Sequence, residues 1–539
     1  MRQFRPLDLL SLRAVVDAAI APAGDEFTYA VREPSGATAL WRGFDQSGEP
    51  APLTRGPRDT NPRYSPDGRH IAFLRGDGAA AQIYLLDRRG GEAMPFTRLS
   101  FGVREFSWSL DGRSIAAIVP AGPSGPRPLA AGDSSEPSPA DATDALILLQ
   151  MDGTWRQLSV DGLACSRPAF APNGGRVAFL AREPAGRNCL AIVSVDGGDA
   201  QLLVGPEYEP GPAAFSPDAT HVIFAARPPG QGAPSLYTVR AEGGVPEPYA
   251  EGPGDAPPPA AGHAPVYSID GSSVYALLGT PGRYELAEVR PRLARRPRSP
   301  QGLPVSRFAI DDEGSRTALV VAEQLGPARF ELRDTAGHLL LRSRHEEPGL
   351  ADVQRFAPYP LALEGGAFAH LYLPETAESA PFVLLASRCG HGFSAQAQTM
   401  ASGGLAVIAA PPGLLGAARA AALGAFPQLD GRRFGVCAEG DDALLDWPLL
   451  PEARAAAFTN PPEELPTQLA GAAPGGARPA VLLLLGADVG RQRAARVADG
   501  NLVAQHVFSE SGPVHAWPPM VQTTRLALEA EWFSRHLAL

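Results

Sequence analysis

Lysine does not occur in the 539 residues, so all 47 basic side chains are arginine. No Schiff-base amine and no phosphate-loop lysine can therefore operate here. Cysteine is nearly as scarce. Cys165, Cys189, Cys389 and Cys437 form the whole set, with no C-x-x-C spacing and no histidine pair beside them, which excludes the common zinc frameworks. No metal and no cofactor is expected. So few cysteines in so long a chain fit a reducing compartment with free thiols. Long apolar runs are missing too, since none approaches the roughly 20 residues of a membrane-spanning helix. The stretch from Leu9 to Ile20 is interrupted by Arg13 and Asp17, charges that a signal-peptide core tolerates poorly. The cytoplasm is the expected location, with no membrane partner. Basic charge is in deficit, at a net −11 and a pI near 5.5, which disfavours nucleic acid as a partner.

What remains is ample for a folded protein. Hydrophobic residues make up 44% and charged residues 19%, the balance of a globular chain, and the length suits two or three domains. Much Ala, Gly and Pro without lysine is what a GC-rich coding sequence produces, as in many bacteria. A short phrase then recurs: an aromatic or apolar residue, a Ser-Pro-Asp-Gly-like turn, and an alternating strand. It reads Tyr64-Ser65-Pro66-Asp67-Gly68, then Trp108-Ser109-Leu110-Asp111-Gly112, Phe170-Ala171-Pro172-Asn173-Gly174, Phe215-Ser216-Pro217-Asp218-Ala219 and Tyr267-Ser268-Ile269-Asp270-Gly271. Weaker copies stand at Ala21-Pro22-Ala23-Gly24 and from Asp311 to Gly314. Proline presets φ, Asp or Asn accepts local N–H groups, and Gly takes the left-handed position. Spacing of roughly 45 residues is the length of a four-stranded propeller blade. The pattern predicts an N-terminal segment over 1–17 and a seven-bladed β-propeller over 18–349. A Pro/Ala/Ser/Asp-rich stretch at about 121–144 reads as a disordered surface insertion.

From about Asp352 the pattern changes to short continuous apolar runs separated by Ala-rich helical segments. Phe382–Ala386, Leu405–Ala409, Arg433–Cys437 and Ala480–Leu485 read as buried parallel strands of an α/β domain over 350–539. A propeller followed by a doubly wound domain resembles the prolyl oligopeptidase family of serine peptidases, with its acylaminoacyl-peptidase and dipeptidyl-peptidase relatives. The closing Glu531-Trp532-Phe533-Ser534-Arg535-His536-Leu537 is similar to that family's terminal helix. The fold this implies is multi-domain β plus α/β, a seven-bladed propeller followed by a shortened α/β-hydrolase domain.

The resemblance also implies a serine at the tip of a sharp strand-to-helix turn, a histidine base, an aspartate that orients it, and backbone donors for the oxyanion. Each position departs from that pattern. Asp430-Gly431-Arg432-Arg433-Phe434-Gly435-Val436 is similar to the strand that leads to the elbow, and Cys437-Ala438-Glu439-Gly440-Asp441-Asp442 follows it. In register, Gly440 stands at the nucleophile position and Asp442 where a close-packing glycine belongs. No G-x-S-x-G occurs elsewhere. The oxyanion loop corresponds to Cys389-Gly390-His391-Gly392, out of order. Beyond Gly486, the acid's place falls on Val489, with Asp488 one residue short. The base segment has become Glu510-Ser511-Gly512-Pro513, which leaves Pro513 at the base position and His515 two residues late. Only about 20 residues separate Pro411 from Arg432, and about 40 separate the elbow from Val481, where the family carries a helix and part of the site's roof.

These departures predict a pseudopeptidase, with no catalytic set intact. It would hold a peptide or small protein in the inter-domain cavity, or pair with an active homologous peptidase as a heterodimer, or form a homodimer. The alternative is a hydrolase with Cys437 as nucleophile, Asp488 as acid and His515 as base, or a relocated serine at Ser394 or Ser511. Register argues against Cys437, which stands about three residues too early, and a cysteine there is more often a small core residue. Asp441 and Asp442 suit a helix start. His391, His515 and Trp517 read as loop or packing residues. Arg292, Arg295, Arg296 and Arg298 read as a solvated blade-edge loop, with an acidic peptide as a lesser option.

Overall fold

The computed structural model describes the chain except for residues 46, 77–79, 123–124, 129–141, 159–162, 184–185, 230–233, 251–258, 260–261, 281–282, 292–294, 323–324, 346–349, 351, 364–366, 375–378, 388–392, 441, 446–451, 461–479, 486–502, 508–518 and 538–539. Seven four-stranded antiparallel sheets succeed one another between Ala14 and Arg342. They are the seven blades of a β-propeller, numbered here 1 to 7 in chain order.

Every copy of the recurrent phrase falls between the first and second strands of its blade, and four of the turns share one side-chain chemistry. The Ser65 hydroxyl donates to Asp67 Oδ1 at 2.6 Å, Asp67 accepts the Arg69 N–H at 3.0 Å, and Gly68 takes φ +67°. Ser109, Ser216 and Ser268 donate likewise to Asp111, Asp218 and Asp270 at 2.6, 2.5 and 2.6 Å. Six copies place glycine at the left-handed position, and blade 5 places Ala219 there at φ +59°. The phrase therefore marks the hairpin inside each blade rather than the blade's beginning.

Each blade takes all four strands from one contiguous stretch, so no strand is shared across the ring closure. Side chains close it instead. Phe27 and Tyr29 of blade 1 stack on Phe330 of blade 7 at 4.8 and 4.6 Å between centroids, within a core that also holds Val15, Ile20, Ala318 and Leu332. Two backbone bonds, Val15 N–H to Ala328 O at 2.8 Å and Asp312 N–H to Pro22 O at 3.0 Å, join the same two blades.

Three expectations need correction. The first propeller strand, Ala14–Ile20, begins inside the segment assigned to 1–17. Packing decides this, because Val15 belongs to the core shared with blade 7. The residues before it are anchored on the C-terminal domain. Arg2 N–H donates to Asp352 O at 2.8 Å, Phe4 N–H donates to Ser402 Oγ at 3.1 Å, and Phe4 meets Phe393 edge-on at 5.8 Å. The insertion is narrower than 121–144, since Ala121 and Thr143 pair within blade 3; its 129–141 stretch lies outside the described residues. Finally, the arginine run is not uniformly solvated. Arg295 and Arg296 are exposed, but Arg298 is 3% exposed, donates to Gly314 O and to Thr335 O (3.0 Å), and lies over the Tyr275 ring at 5.2 Å. It pins blade 6 to blade 7. Arg292 lies outside the described residues.

The second domain is built on one eight-stranded sheet. Numbered along the chain within this sheet, its strands lie in the order 1-2-4-3-5-6-7-8, with strand 2 antiparallel to both its neighbours and every other pairing parallel. The four apolar runs are found at Ala380–Ala386, Ala406–Ala410, Leu429–Glu439 and Ala480–Leu485. Tyr359–Ala362, Phe368–Tyr372, Ala455–Thr459 and Val503–Val507 complete the sheet. Two apolar layers cover it. Leu415–Ala425 packs on one face with Phe382, Phe434 and Phe458; Ala395–Ser402 and the terminal helix Pro519–Leu537 cover the other. Phe533 is fully buried there, against Gly435. A Cβ on Gly435 would stand 2.5 Å from the Phe533 ring, so the glycine of the pre-elbow strand admits the aromatic of the last helix.

Candidate functional site: an elbow without a nucleophile

The strand Leu429–Glu439 runs through the middle of the sheet, with Phe434 to Cys437 pairing with Phe382 to Leu385 on one side and Gly435 to Cys437 with Ala455 to Ala457 on the other. A central strand flanked by parallel neighbours must leave the sheet abruptly at its C-terminal end. It does so at Gly440, where φ is +56° and the N–H donates to Thr459 O at 2.9 Å; the short helix Asp442–Leu445 follows. A strand-to-helix reversal through one left-handed residue is the geometry of a nucleophile elbow. Glycine adopts that φ without steric penalty. A Cβ built on Gly440 would meet no described heavy atom within 4 Å. No described residue fills the space at the tip, and Gly440 brings no side chain to it.

Cys437 is placed three residues earlier, inside the strand and not at the tip. It is 2% exposed and accepts a hydrogen bond from Gln396 Nε2 at 3.3 Å. Burial, and then the Glu529 carboxylate, push its thiol well above the ordinary range. A nucleophilic cysteine needs the opposite shift, because the thiolate is the reactive form. Ser394 is also committed elsewhere: it is the N-cap of Ala395–Ser402, its Oγ accepting the Ala397 N–H at 3.2 Å. Asp442 is the first residue of its helix, as expected, and is buried at 7% exposure.

Of the other positions read from the sequence, Cys389, Gly390, His391, Gly392, Asp441, Gly486, Asp488, Val489, Glu510, Ser511, Gly512, Pro513, His515 and Trp517 lie outside the described residues. The structure therefore brings together Gly440, Asp442 and Cys437 alone from that set.

It also reveals a polar network that sequence reading passed over. Glu529, fully buried on the terminal helix, takes Arg525 Nη1 at 2.9 Å, Gln396 Nε2 at 2.7 Å and Thr459 Oγ1 at 3.4 Å. Through Thr459 it reaches the carbonyl that holds Gly440, and through Gln396 it reaches Cys437. The four-residue spacing of Arg525 and Glu529 was a legible signal, but nothing in the sequence said that the pair would be buried. Among the described residues, no group of three or more His, Cys, Asp or Glu could hold a metal ion, and no helix is long and apolar enough to cross a membrane.

A propeller joined to a parallel sheet that ends in such an elbow defines a class, the two-domain fold of prolyl oligopeptidase-like proteins. The chain superposes on a puromycin-hydrolyzing peptidase of Mycobacterium tuberculosis with a TM-score of 0.75 at 16% identity, over 100% of this chain and 96% of that one. The acylaminoacyl peptidase of Pyrococcus horikoshii gives a TM-score of 0.71 at 16% identity, over 99% and 98%. In sequence, the chain is 30% identical over 226 residues to the uncharacterized peptidase YuxL of Bacillus subtilis (strain 168). That match covers 41% of this chain and spans 30% of the relative's length. No family model matches the chain.

Proposed function

We propose that this protein is a member of the prolyl oligopeptidase family that has lost peptidase chemistry, a pseudopeptidase that binds peptide between its two domains or supports an active homologue as a partner subunit. Gly440 carries this reading. The backbone of a nucleophile elbow is retained, left-handed φ included, with no described atom crowding its tip and no side chain there to attack a carbonyl. An acyl-enzyme requires an oxygen or sulfur nucleophile at that point. In register, the other catalytic places fall on Val489 and Pro513, which cannot act as acid or base, while Asp488 and His515 stand one residue short and two residues late. The uncharacterized peptidase and the puromycin-hydrolyzing peptidase that the chain resembles give the ancestral chemistry its class: hydrolysis of an amide bond in a peptide or peptide-like substrate.

A fluorophosphonate probe on the native full-length protein is expected to label no residue, and Gly440→Ser alone is expected to stay unlabelled. Specific labelling of the native protein would overturn the reading. A thiol-reactive probe should leave native Cys437 unmodified at pH 8 and modify it after unfolding; Cys437→Ala identifies the band. For the partner role, co-expression with an intact peptidase of this family should give a larger species on size exclusion, and a monomer unaffected by that peptidase would count against it.

A further inference from the structure

The first strand of each blade is its innermost. Those of blades 7, 1 and 2 lie against one another, as do those of blades 3 to 6. Four of them carry a β-bulge: Ala14–Ile20, Asp59–Tyr64, Ala164–Phe170 and Val305–Ile310. A bulge re-aims the side chain beside it. In or directly after each of these bulges stands a charged residue: Asp17, Arg63, Arg167 and Arg307. The three arginines reach solvent although their strands are innermost, so the ring encloses a solvated channel at this level. Blade 1 begins at Ala14 beside residues 350–353, since Leu12 packs with Leu350 and Val353. The first strands therefore start at the mouth that faces the C-terminal domain, and these charges lie just inside it.

Their pairing leaves one cation over. Asp17 of blade 1 accepts from Arg63 Nη1 of blade 2 at 3.2 Å. Glu105 of blade 3 accepts the Arg167 N–H of blade 4 at 2.9 Å, with the Arg167 Nε 3.9 Å from its other oxygen. The remaining charge on the seven first strands, Asp59, is buried and held by both Nε and Nη2 of Arg75. Asp17, Glu105, Arg167 and Arg307 each stand seven residues before the left-handed turn residue of their blade, where blades 5 and 6 carry Pro212 and Ala264. Arg307 thus has an uncharged neighbour on one side and an engaged aspartate on the other. Among the described residues it makes no ion pair and no hydrogen bond. Three arginines against two carboxylates give this level of the channel a surplus positive charge, in a chain whose net charge is −11.

His263 of blade 6 stands next to Ala264 and is half-buried. Burial, then Arg307, then Arg167 push its imidazole down to about 4, with Asp17 opposing them. Those three residues belong to blades 7, 4 and 1, and one side chain feels all of them only if they meet across the channel. At neutral pH the imidazole is uncharged, a hydrogen-bonding group between two guanidinium ions.

We propose that Arg307, Arg167 and His263 form a carboxylate-binding site just inside the channel mouth, which makes the ligand held between the two domains an acidic peptide. Arg307 supplies the strongest contact, because a carboxylate that reaches it gains a charge-assisted hydrogen bond without displacing an ion pair of the described residues. The carboxylate is that of an Asp or Glu side chain or of the peptide's own C-terminus. Acid selectivity at this place presupposes the peptide-binding reading above.

The test is calorimetric titration of the native full-length protein with three peptides: Ala-Ala-Glu-Ala-Ala capped at both ends, Ala-Ala-Gln-Ala-Ala capped at both ends, and the glutamine peptide with a free C-terminal carboxylate. A carboxylate-bearing peptide should bind roughly tenfold or more tightly than the fully capped glutamine peptide. Preference for the glutamate peptide assigns the site to an acidic side chain, and preference for the free terminus assigns it to a chain end. Arg307→Gln should bring the preferred peptide down to the level of the capped glutamine peptide. The melting temperature should not move, since Arg307 is exposed and unpaired among the described residues. Arg69→Gln, an exposed arginine on the turn of blade 2, should leave the preference unchanged. Equal binding of all three peptides would overturn the carboxylate site and leave the peptide-binding reading standing. Failure of all three to bind saturably would overturn both. A carboxylate preference that survives in the Arg307→Gln protein would place it elsewhere and overturn the site as well.

Discussion

The propeller and the C-terminal sheet keep different things. In the propeller, side-chain chemistry and backbone geometry recur together: the Ser-to-Asp hydrogen bond and the left-handed fourth residue appear at Ser65, Ser109, Ser216 and Ser268 alike. In the C-terminal domain the two have separated. The elbow backbone persists at Gly440, while the side chain that such an elbow presents is absent. A turn in the propeller has its side chains as structural parts, since they satisfy backbone donors that would otherwise be unpaired. A nucleophile contributes nothing to the sheet that carries it, so a fold can outlast it.

That contrast can be broken, beginning with the largest expected effect. Glu529→Ala leaves Arg525 buried without its counter-ion and should cost about 3–5 kcal/mol, measured by urea unfolding of the C-terminal domain. Replacing both partners by apolar residues should cost much less, and equal losses would deny that the pair is coupled. Gly435→Ala drives a Cβ against the Phe533 ring and should cost about 1–3 kcal/mol, recovered in part by Phe533→Leu. A neutral Gly435→Ala would show that the terminal helix can shift.

The propeller is sharpened by acid. Asp218 and Asp270 titrate at about 2 in the folded protein, below the ordinary carboxylate value near 3.9. Their stabilising contribution is complete above about pH 4 and is lost as pH falls toward 2. The melting temperature should drop across that window, and Asp218→Asn should flatten the drop. Smallest of all, Gly440→Ala should cost about 1 kcal/mol, the left-handed penalty alone, because no described atom crowds the tip. A larger loss would mean that the tip is closed by something in the folded protein.

Legibility differed between the regions for a physical reason. The blades were readable because each turn is a local device within five residues, and seven spaced repetitions define the ring. Its closure was not readable: Phe330 stands about 300 residues from Phe27 and Tyr29, and nothing local says that they stack. In the second domain, four strands announced themselves as apolar runs. Phe368–Tyr372 and Val503–Val507 did not, since one is a short antiparallel strand and the other carries Gln505 and His506. Arg298 misled because its neighbours Arg295 and Arg296 are exposed, and burial depends on a carbonyl from the next blade.

By itself, the order of residues determined the seven hairpins, the alternation that builds each blade, the switch to a parallel sheet after Asp352, and the glycine at the elbow. These are properties of short stretches, where backbone preference and hydrophobic period act locally. Tertiary structure alone decided that Cys437 is a core thiol, that Glu529 braces the elbow from the last helix, that Ser394 caps a helix, and that Arg298 ties blade 6 to blade 7. Each of these rests on contacts between segments far apart in the chain, and only packing brings such segments together.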